Sequence, residues 1–260
     1  MKKALFKSFV ELTGNPVSSA LLKSFTSSRL SLPFVKPFSN AYRINNEEME
    51  YPISHYKSLQ ALFTRSLHEG ARHVDSSPNT LTSPVDGVVS GTGKIAVDQT
   101  FLIKGHQYRI NEIMGTSDKA AAYKDGTYYI LYLSPSHYHH FHYPVTGELV
   151  SRYALGGVSY PVNSLGLRLG QSPFSTNHRL ISEVMTDFGK VAIVKVGALN
   201  VNSIQLLNSS KECIKGNDFG YFSFGSTVIL FLENNPDFTP TVELNSEVHV
   251  GQPIGKWNQQ

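Results

Sequence analysis

Apolar positions along this chain follow two different periods. Over the first 43 residues, Leu5, Phe6, Phe9, Val10 and Leu12, then Leu21, Leu22 and Phe25, then Leu30, Leu32, Phe34, Val35 and Phe38 recur at spacings that suit short amphipathic helices. Gly14-Asn15-Pro16, Pro33 and Pro37 should interrupt them, because proline lacks the amide hydrogen that a helix interior uses. Ser58-Leu-Gln-Ala-Leu-Phe-Thr-Arg-Ser-Leu67 predicts a further helix, with Ser58 as its N-cap and Leu59, Leu62, Phe63 and Leu67 on one face.

From Thr82 onward the pattern becomes one of strands. Runs rich in β-branched and aromatic residues predict strands at 87–90, 101–104, 127–133, 148–154, 179–186, 191–196, 203–207, 222–232 and 241–250, with Ile110 to Met114 as one short helix. So many closely spaced strands, without regular intervening helices, predict an α+β fold that is mainly antiparallel β, with a sandwich or barrel-like core. No internal repeat interrupts it. Residues 1–70 form the expected helical N-terminal region and 71–260 the β-rich domain.

Composition narrows the picture. With 260 residues, 40% of them hydrophobic and 17% charged, the chain can bury a sizeable core. Cys213 is the only cysteine, which excludes an intrachain disulfide and a cysteine-based metal site. Lys7 and Glu11 break the first apolar run before it reaches the length of a signal-peptide core, and no later run approaches the roughly 18 apolar residues of a membrane span. The net charge is only +3, yet Lys2, Lys3, Lys7, Lys23, Arg29, Lys36 and Arg43 face a single carboxylate, Glu11, in the first 43 residues. Basic and apolar residues together suit either an anionic membrane interface or an ordinary arm packed on the body of the protein. They are too sparse and too apolar in company to track the phosphates of a nucleic acid.

Three stretches carry candidate chemistry. Ser83-Pro-Val-Asp-Gly-Val-Val-Ser90 places Asp86 either in a turn or at a strand mouth, where a carboxylate can orient a histidine. Leu133-Ser-Pro-Ser-His-Tyr-His-His-Phe-His-Tyr-Pro144 holds His137, His139, His140 and His142. An extended backbone splits these between two faces and a helical one pairs only His139 with His142, so neither gathers three metal ligands. Acid–base chemistry is the better use of such imidazoles. Gly225-Ser226-Thr227 interrupts an otherwise continuous strand pattern, as a bulge or bend would. It lacks the flanking glycines of a hydrolase elbow, although Asp86, His142 and Ser226 are the three residue types that activate a hydroxyl.

Taken together, Ser83-Pro-Val-Asp-Gly87, Tyr138-His-His-Phe-His-Tyr-Pro144 and Phe224-Gly-Ser-Thr227 resemble the phosphatidylserine decarboxylase family, most closely its shorter bacterial type. Leu62-Phe-Thr-Arg65, Tyr160-Pro-Val-Asn163, Ser175-Thr-Asn-His-Arg179, Val196-Gly-Ala198 and Val250-Gly-Gln-Pro-Ile-Gly255 extend the resemblance, in order, through most of the chain. Phe224 stands where the family often has leucine, a change that leaves the reacting atoms alone.

The resemblance implies a precursor that cuts its own backbone between Gly225 and Ser226. His142, held by Asp86, would take the proton of Ser226, whose oxygen attacks the Gly225 carbonyl. Ester formation and β-elimination would then leave a pyruvoyl group, derived from Ser226, at the head of an α chain of residues 226–260, associated with a β chain of residues 1–225. That covalent cofactor would form a Schiff base with phosphatidylserine and promote loss of CO2 to give phosphatidylethanolamine, with His139 as proton donor. The resemblance assigns no role to His137 or His140 and requires no metal. It places the protein on the cytoplasmic side of the cell membrane as a peripheral protein, with residues 1–70 as the membrane-associating region. Two other readings stay open at this level. One is a pyruvoyl-dependent decarboxylase of a soluble amino acid. The other is a non-enzymatic module, because Glu247-Val-His-Val-Gly-Gln-Pro-Ile-Gly255 also resembles lipoyl-type hairpins, although it lacks their lysine.

Overall fold

The computed structural model describes residues 16–96, 98–103, 106–157, 173–197, 203–223 and 225–258. The segments 1–15 and 158–172, with Phe224 and Ala198, lie outside the described residues, and so therefore do the basic N-terminal tip and the Tyr160–Asn163 block.

An eight-stranded sheet organises the chain. Its strands, in spatial order, are Glu212–Cys213, Gly147–Leu155, Arg179–Thr186, Gly189–Gly197, Ser226–Leu232, Thr127–Leu133, Gly87–Lys94 and Glu247–Val248. Every strand pairing among the described residues is antiparallel. The two outer strands do not pair with each other, so the sheet is open rather than closed into a barrel.

Both faces of this sheet are buried, which explains why its central strands read as continuous apolar runs rather than alternating ones. On one face Val228, Leu230, Leu131, Tyr129 and Ile193 pack against Phe141, Phe219 and Phe222 and against Ile254, Trp257 and Phe238. Those partners come from two three-stranded sheets, one built from Ile204–Leu206, Asp218–Phe222 and His140–His142, the other from Thr80–Thr82, Pro253–Trp257 and Phe238–Pro240. On the opposite face Ile229, Phe231, Ile130 and Val194 meet Ile113, Met114 and Tyr123 from the short helices Ile110–Met114 and Ser117–Ala121 and the turn that follows. Aromatic residues of the Thr100–Ile103 and His106–Arg109 hairpin close that layer.

Within the described part of the N-terminal region, helices Pro16–Ser27 and Leu32–Tyr42 form where the spacing predicts them. Pro16 opens the first and Pro33 sits in the first turn of the second, where a missing amide hydrogen costs little. Pro37, expected to break the helix, lies inside it; the face carrying Val35 and Phe38 is buried in a small core with Ile44, Met49, Tyr56, Leu62 and Phe63, and that packing holds the helix across the proline. Among the described residues no helix is long and apolar enough to cross a membrane.

Other departures have local causes. Ser58 caps its helix as expected, its Oγ accepting the Ala61 amide at 3.1 Å, but the helix spans only Leu59–Phe63. Its next residues are committed elsewhere: the Thr64 carbonyl accepts from His140 Nε2, and the Arg65 guanidinium bonds a distant loop. The strand expected over 222–232 is two strands, Asp218–Phe222 and Ser226–Leu232, in different sheets. Of the strand expected over 241–250, only Glu247–Val248 forms.

Candidate active site

Ser226 is the first residue of the strand Ser226–Leu232, which is paired along its whole length on both sides. It lies opposite Leu133 on one neighbour and Gly197 on the other. Alternation puts its side chain on the face shared by Val228 and Leu230, toward the sheet that contains the histidine strand. There it is fully buried, and among the described residues its Oγ has no hydrogen-bond partner. The preceding Gly225 is half-buried, and a Cβ built on it meets nothing within 4 Å among the described residues. An unpaired buried hydroxyl beside an open peptide is an unstable arrangement in a resting fold, since desolvating it without a partner costs about 1–3 kcal/mol.

Asp86 is brought to the same end of the sheet by the strand Gly87–Lys94. Val88 and Thr227 both lie opposite Tyr132, so their strands are separated by a single intervening strand, about 10 Å. Gly87 must be glycine: a Cβ there would stand 2.7 Å from the Tyr132 carbonyl oxygen.

The strand Thr127–Leu133 ends opposite Ser226, and the chain then turns through Ser134–His137 and returns as His140–His142. Phe63, Thr64 and Arg65 clamp this loop. Phe63 packs its ring 3.8 Å from the His139 imidazole, and Arg65 Nη2 donates to the carbonyls of Ser136 (2.8 Å) and His137 (3.1 Å). Burial pushes the Arg65 guanidinium down to about 10, which still leaves it charged at neutral pH. The Leu62–Arg65 block is therefore a device that positions the histidine loop, a role its sequence did not reveal.

Each histidine has a distinct environment. His139 is completely buried; its Nδ1–H donates to the His137 carbonyl at 2.9 Å, leaving Nε2 without a partner among the described residues. Burial, reinforced by the Arg65 charge, holds its imidazole well below the ordinary value, so it is neutral at pH 7. His142 donates Nδ1–H to the Gly216 carbonyl at 2.7 Å, and its Nε2 faces the Tyr138 hydroxyl at 3.3 Å. Gly216 presents that carbonyl from a left-handed turn (φ 84°), where a Cβ would also strike Val74. Burial lowers His142 as well. His140 is tied to the Asp218 carboxylate at 2.6 Å and to Thr64, and His137 faces Glu247 at 3.4 Å. Among the described residues no three metal-ligating side chains gather.

The hydrogen bond expected between Asp86 and His142 is not formed. The Asp86 carboxylate accepts instead from Arg72 Nε (2.9 Å to Oδ1) and Nη2 (2.5 Å to Oδ2) and from the Val250 amide at 2.9 Å, with His249 Nδ1 at 3.7 Å. Burial alone would push this carboxyl up; His249, Arg72 and the Val250 amide outweigh it and hold the group well below the usual carboxylate range. Asp86 reaches His142 only through its field, which raises the imidazole against the effect of burial. Arg72 and His249, which sequence reasoning missed, carry no motif of their own; only the turn of the chain before Asp86 and the closing Glu247–Val248 hairpin bring them in.

Comparison with known proteins agrees with this architecture. Residues 59–256 match the family model described as phosphatidylserine decarboxylase. The chain is 42% identical to the phosphatidylserine decarboxylase proenzyme of Halalkalibacterium halodurans over 262 aligned residues, covering 99% of both chains. It is 44% identical to the protein of the same name from Geobacillus kaustophilus (99% of this chain, 98% of that one) and 46% identical to that of Anoxybacillus flavithermus (98% and 97%). A match that begins at the helix clamping the histidine loop and runs through the strand after Ser226 to the penultimate residues of the last sheet covers every element of the site, and the chain belongs to the phosphatidylserine decarboxylase family.

Proposed function

We propose that this chain is a self-processing phosphatidylserine decarboxylase, made as a precursor and cut between Gly225 and Ser226. The observation that carries the proposal is the buried Ser226 Oγ, without a partner among the described residues, at the head of a fully paired central strand and directly after a glycine. In this reading His142 Nε2, exchanging its contact with Tyr138, takes the Ser226 proton. The oxygen attacks the Gly225 carbonyl carbon, the C–N bond breaks, and an ester joins the two residues. β-Elimination releases residues 1–225 as a carboxylate, and hydrolysis of the unsaturated residue at 226 with loss of ammonia leaves a pyruvoyl group.

The strand fits that group. Residues 227–232 keep both their neighbours when the bond before Ser226 is cut, and the group is built from atoms already buried there. A pyruvoyl group at this position supplies an electrophilic ketone for the substrate amine and a sink for the electron pair that CO2 leaves behind. His139, neutral and with Nε2 free, takes a proton from the incoming ammonium and holds it for return to carbon. Asp86 steers His142 through its charge rather than by contact. The fragments 1–225 and 226–260 stay together as a heterodimer, because the short one contributes a strand to the centre of the sheet and others to its rim and to the Pro253–Trp257 sheet.

The membrane role of residues 1–70, beside a catalytic domain of residues 71–260, belongs to the same proposal. Leu21, Leu32 and Phe34 on the helices Pro16–Ser27 and Leu32–Tyr42 and Leu30 in the turn between them are exposed, with Arg29, Lys36 and Arg43 exposed nearby in the chain. Apolar insertion and attraction to anionic lipid are the two signals that peripheral attachment needs, and the cytoplasmic face of the membrane offers both.

Denaturing electrophoresis with mass analysis of the small fragment tests the cut: residues 226–260 should carry a pyruvoyl terminus. Incubation with dispersed phosphatidylserine and with free serine tests the substrate. Active protein that remains one unaltered chain refutes the processing, and turnover of free serine alone refutes the lipid assignment.

A further inference from the structure

Ser203 is as buried as Ser226, and its Oγ is likewise without a hydrogen-bond partner among the described residues. Its backbone is anchored: the Ser203 carbonyl accepts the Ser223 amide at 2.8 Å and the Ser223 hydroxyl at 3.2 Å. Ser223 precedes Gly225 by two residues, so their Cα atoms stand within about 7.6 Å of each other. The next residue, Ile204, pairs with Phe222, and the Phe222 amide is bonded to the His139 carbonyl. Ser203 is thus fixed beside the segment that leads into the cut, with a hydroxyl that the resting fold does not use. Thr227 Oγ1 also lacks a partner among the described residues, but strand alternation turns it to the opposite face of the sheet from Ser226.

We infer that Ser203 Oγ–H is the hydrogen-bond donor for the oxyanion formed during self-cutting. The inference rests on the processing proposed above. When Ser226 Oγ bonds to the Gly225 carbonyl carbon, its proton passes to His142 and the carbonyl π pair moves onto the Gly225 oxygen, which becomes an alkoxide. Collapse restores the carbonyl, breaks the C–N bond, and returns the proton from His142 to the departing amine. The negative oxygen exists only in that interval. A donor idle in the ground state and bonded in the transition state lowers the barrier, whereas one already satisfied would contribute less. The polar atom that looks misplaced in the precursor acquires its partner when charge develops.

The test follows cutting over time in freshly translated wild-type chain and in Ser203→Ala, by denaturing electrophoresis. Ser203→Ala should cut about 10²–10³-fold more slowly. The reduction should be the same at every pH, because a serine hydroxyl does not titrate in the range that alters His142. Thermal unfolding is measured beside it for Ser203→Ala on a Ser226→Ala background. The midpoint should stay or rise, since the substitution deletes a buried polar atom that has no partner. Cutting at the wild-type rate overturns the inference, and so does slow cutting accompanied by a lowered midpoint, the mark of a structural role. Wild-type chain that never cuts at 225–226 instead removes the processing on which the inference stands.

Discussion

Arg72→Leu isolates what holds Asp86. The Asp86 side chain is 4% exposed and that of Arg72 14%, with two donors of the guanidinium on the carboxylate. Removing one partner of a buried pair costs about 3–5 kcal/mol, because the remaining charge is left uncompensated. Here the lower end applies, since the Val250 amide at 2.9 Å and His249 at 3.7 Å stay in place. Arg72 also meets Glu48, but that carboxylate is 34% exposed and its pairing contributes less than about 1 kcal/mol. The expected loss of about 3 kcal/mol lowers the thermal midpoint by about 6–12 °C in a chain of this size. The assay is thermal unfolding on a Ser226→Ala background, so that a single uncut chain unfolds, with Asp86→Asn and the double variant completing the cycle. Coupling between Arg72 and Asp86 should reach about 2 kcal/mol, while coupling between Asp86 and His142 stays below about 1 kcal/mol. Because Arg72 lowers the Asp86 pKa, its stabilisation is full above about pH 4 and disappears as pH falls toward the depressed folded value. Near-additive Arg72 and Asp86 effects, or stronger coupling of Asp86 to His142, would refute the assignment of partners.

Ser226→Ala should leave one inactive chain, and His142→Ala should also block cutting; processing of either at the wild-type rate removes the role assigned to it. His139 and His142 are both held below the ordinary histidine value by burial, so the stability that needs both neutral, and the cutting that needs His142 neutral, should be full above about pH 6.5 and decline only as pH falls below it; a decline that begins on raising the pH through 7 contradicts this. After cutting, residues 226–260 should co-elute with 1–225 in native chromatography, and Leu230→Ala should weaken that association by about 2–5 kcal/mol, read as a lower denaturant midpoint for release of the fragment. Attachment to anionic vesicles should weaken as salt rises, and salt-independent attachment would exclude the charge of the N-terminal helices from it.

Much of the β body was legible because its central strands are rich in β-branched, aromatic and other apolar residues and are ended by turns. Thr127–Leu133 and Arg179–Thr186 form as the pattern predicts. The motifs around Asp86, the histidines and Gly225-Ser226 stand out in the sequence because few residue types carry acid–base or nucleophilic chemistry. The three-residue strand His140–His142 was not legible, because a short polar stretch becomes a strand only when Asp218–Phe222 pairs with it. Nor was the course of residues 241–250, whose apolar positions are shared between turns and a two-residue strand.

Sequence alone determined which groups are on offer for the proposed chemistry: a serine after a glycine, four histidines within six residues, a carboxylate before a strand. Tertiary structure alone decided which of them touch. Asp86 went to Arg72 because a buried carboxylate takes the nearest cation that can reach it with two hydrogen bonds, and His142 turned to the Gly216 carbonyl because a left-handed turn puts that acceptor against its ring. Contacts of this kind join residues many positions apart, so local pattern carries no record of them; they follow from how the sheets stack and which polar atoms burial leaves in need of a partner.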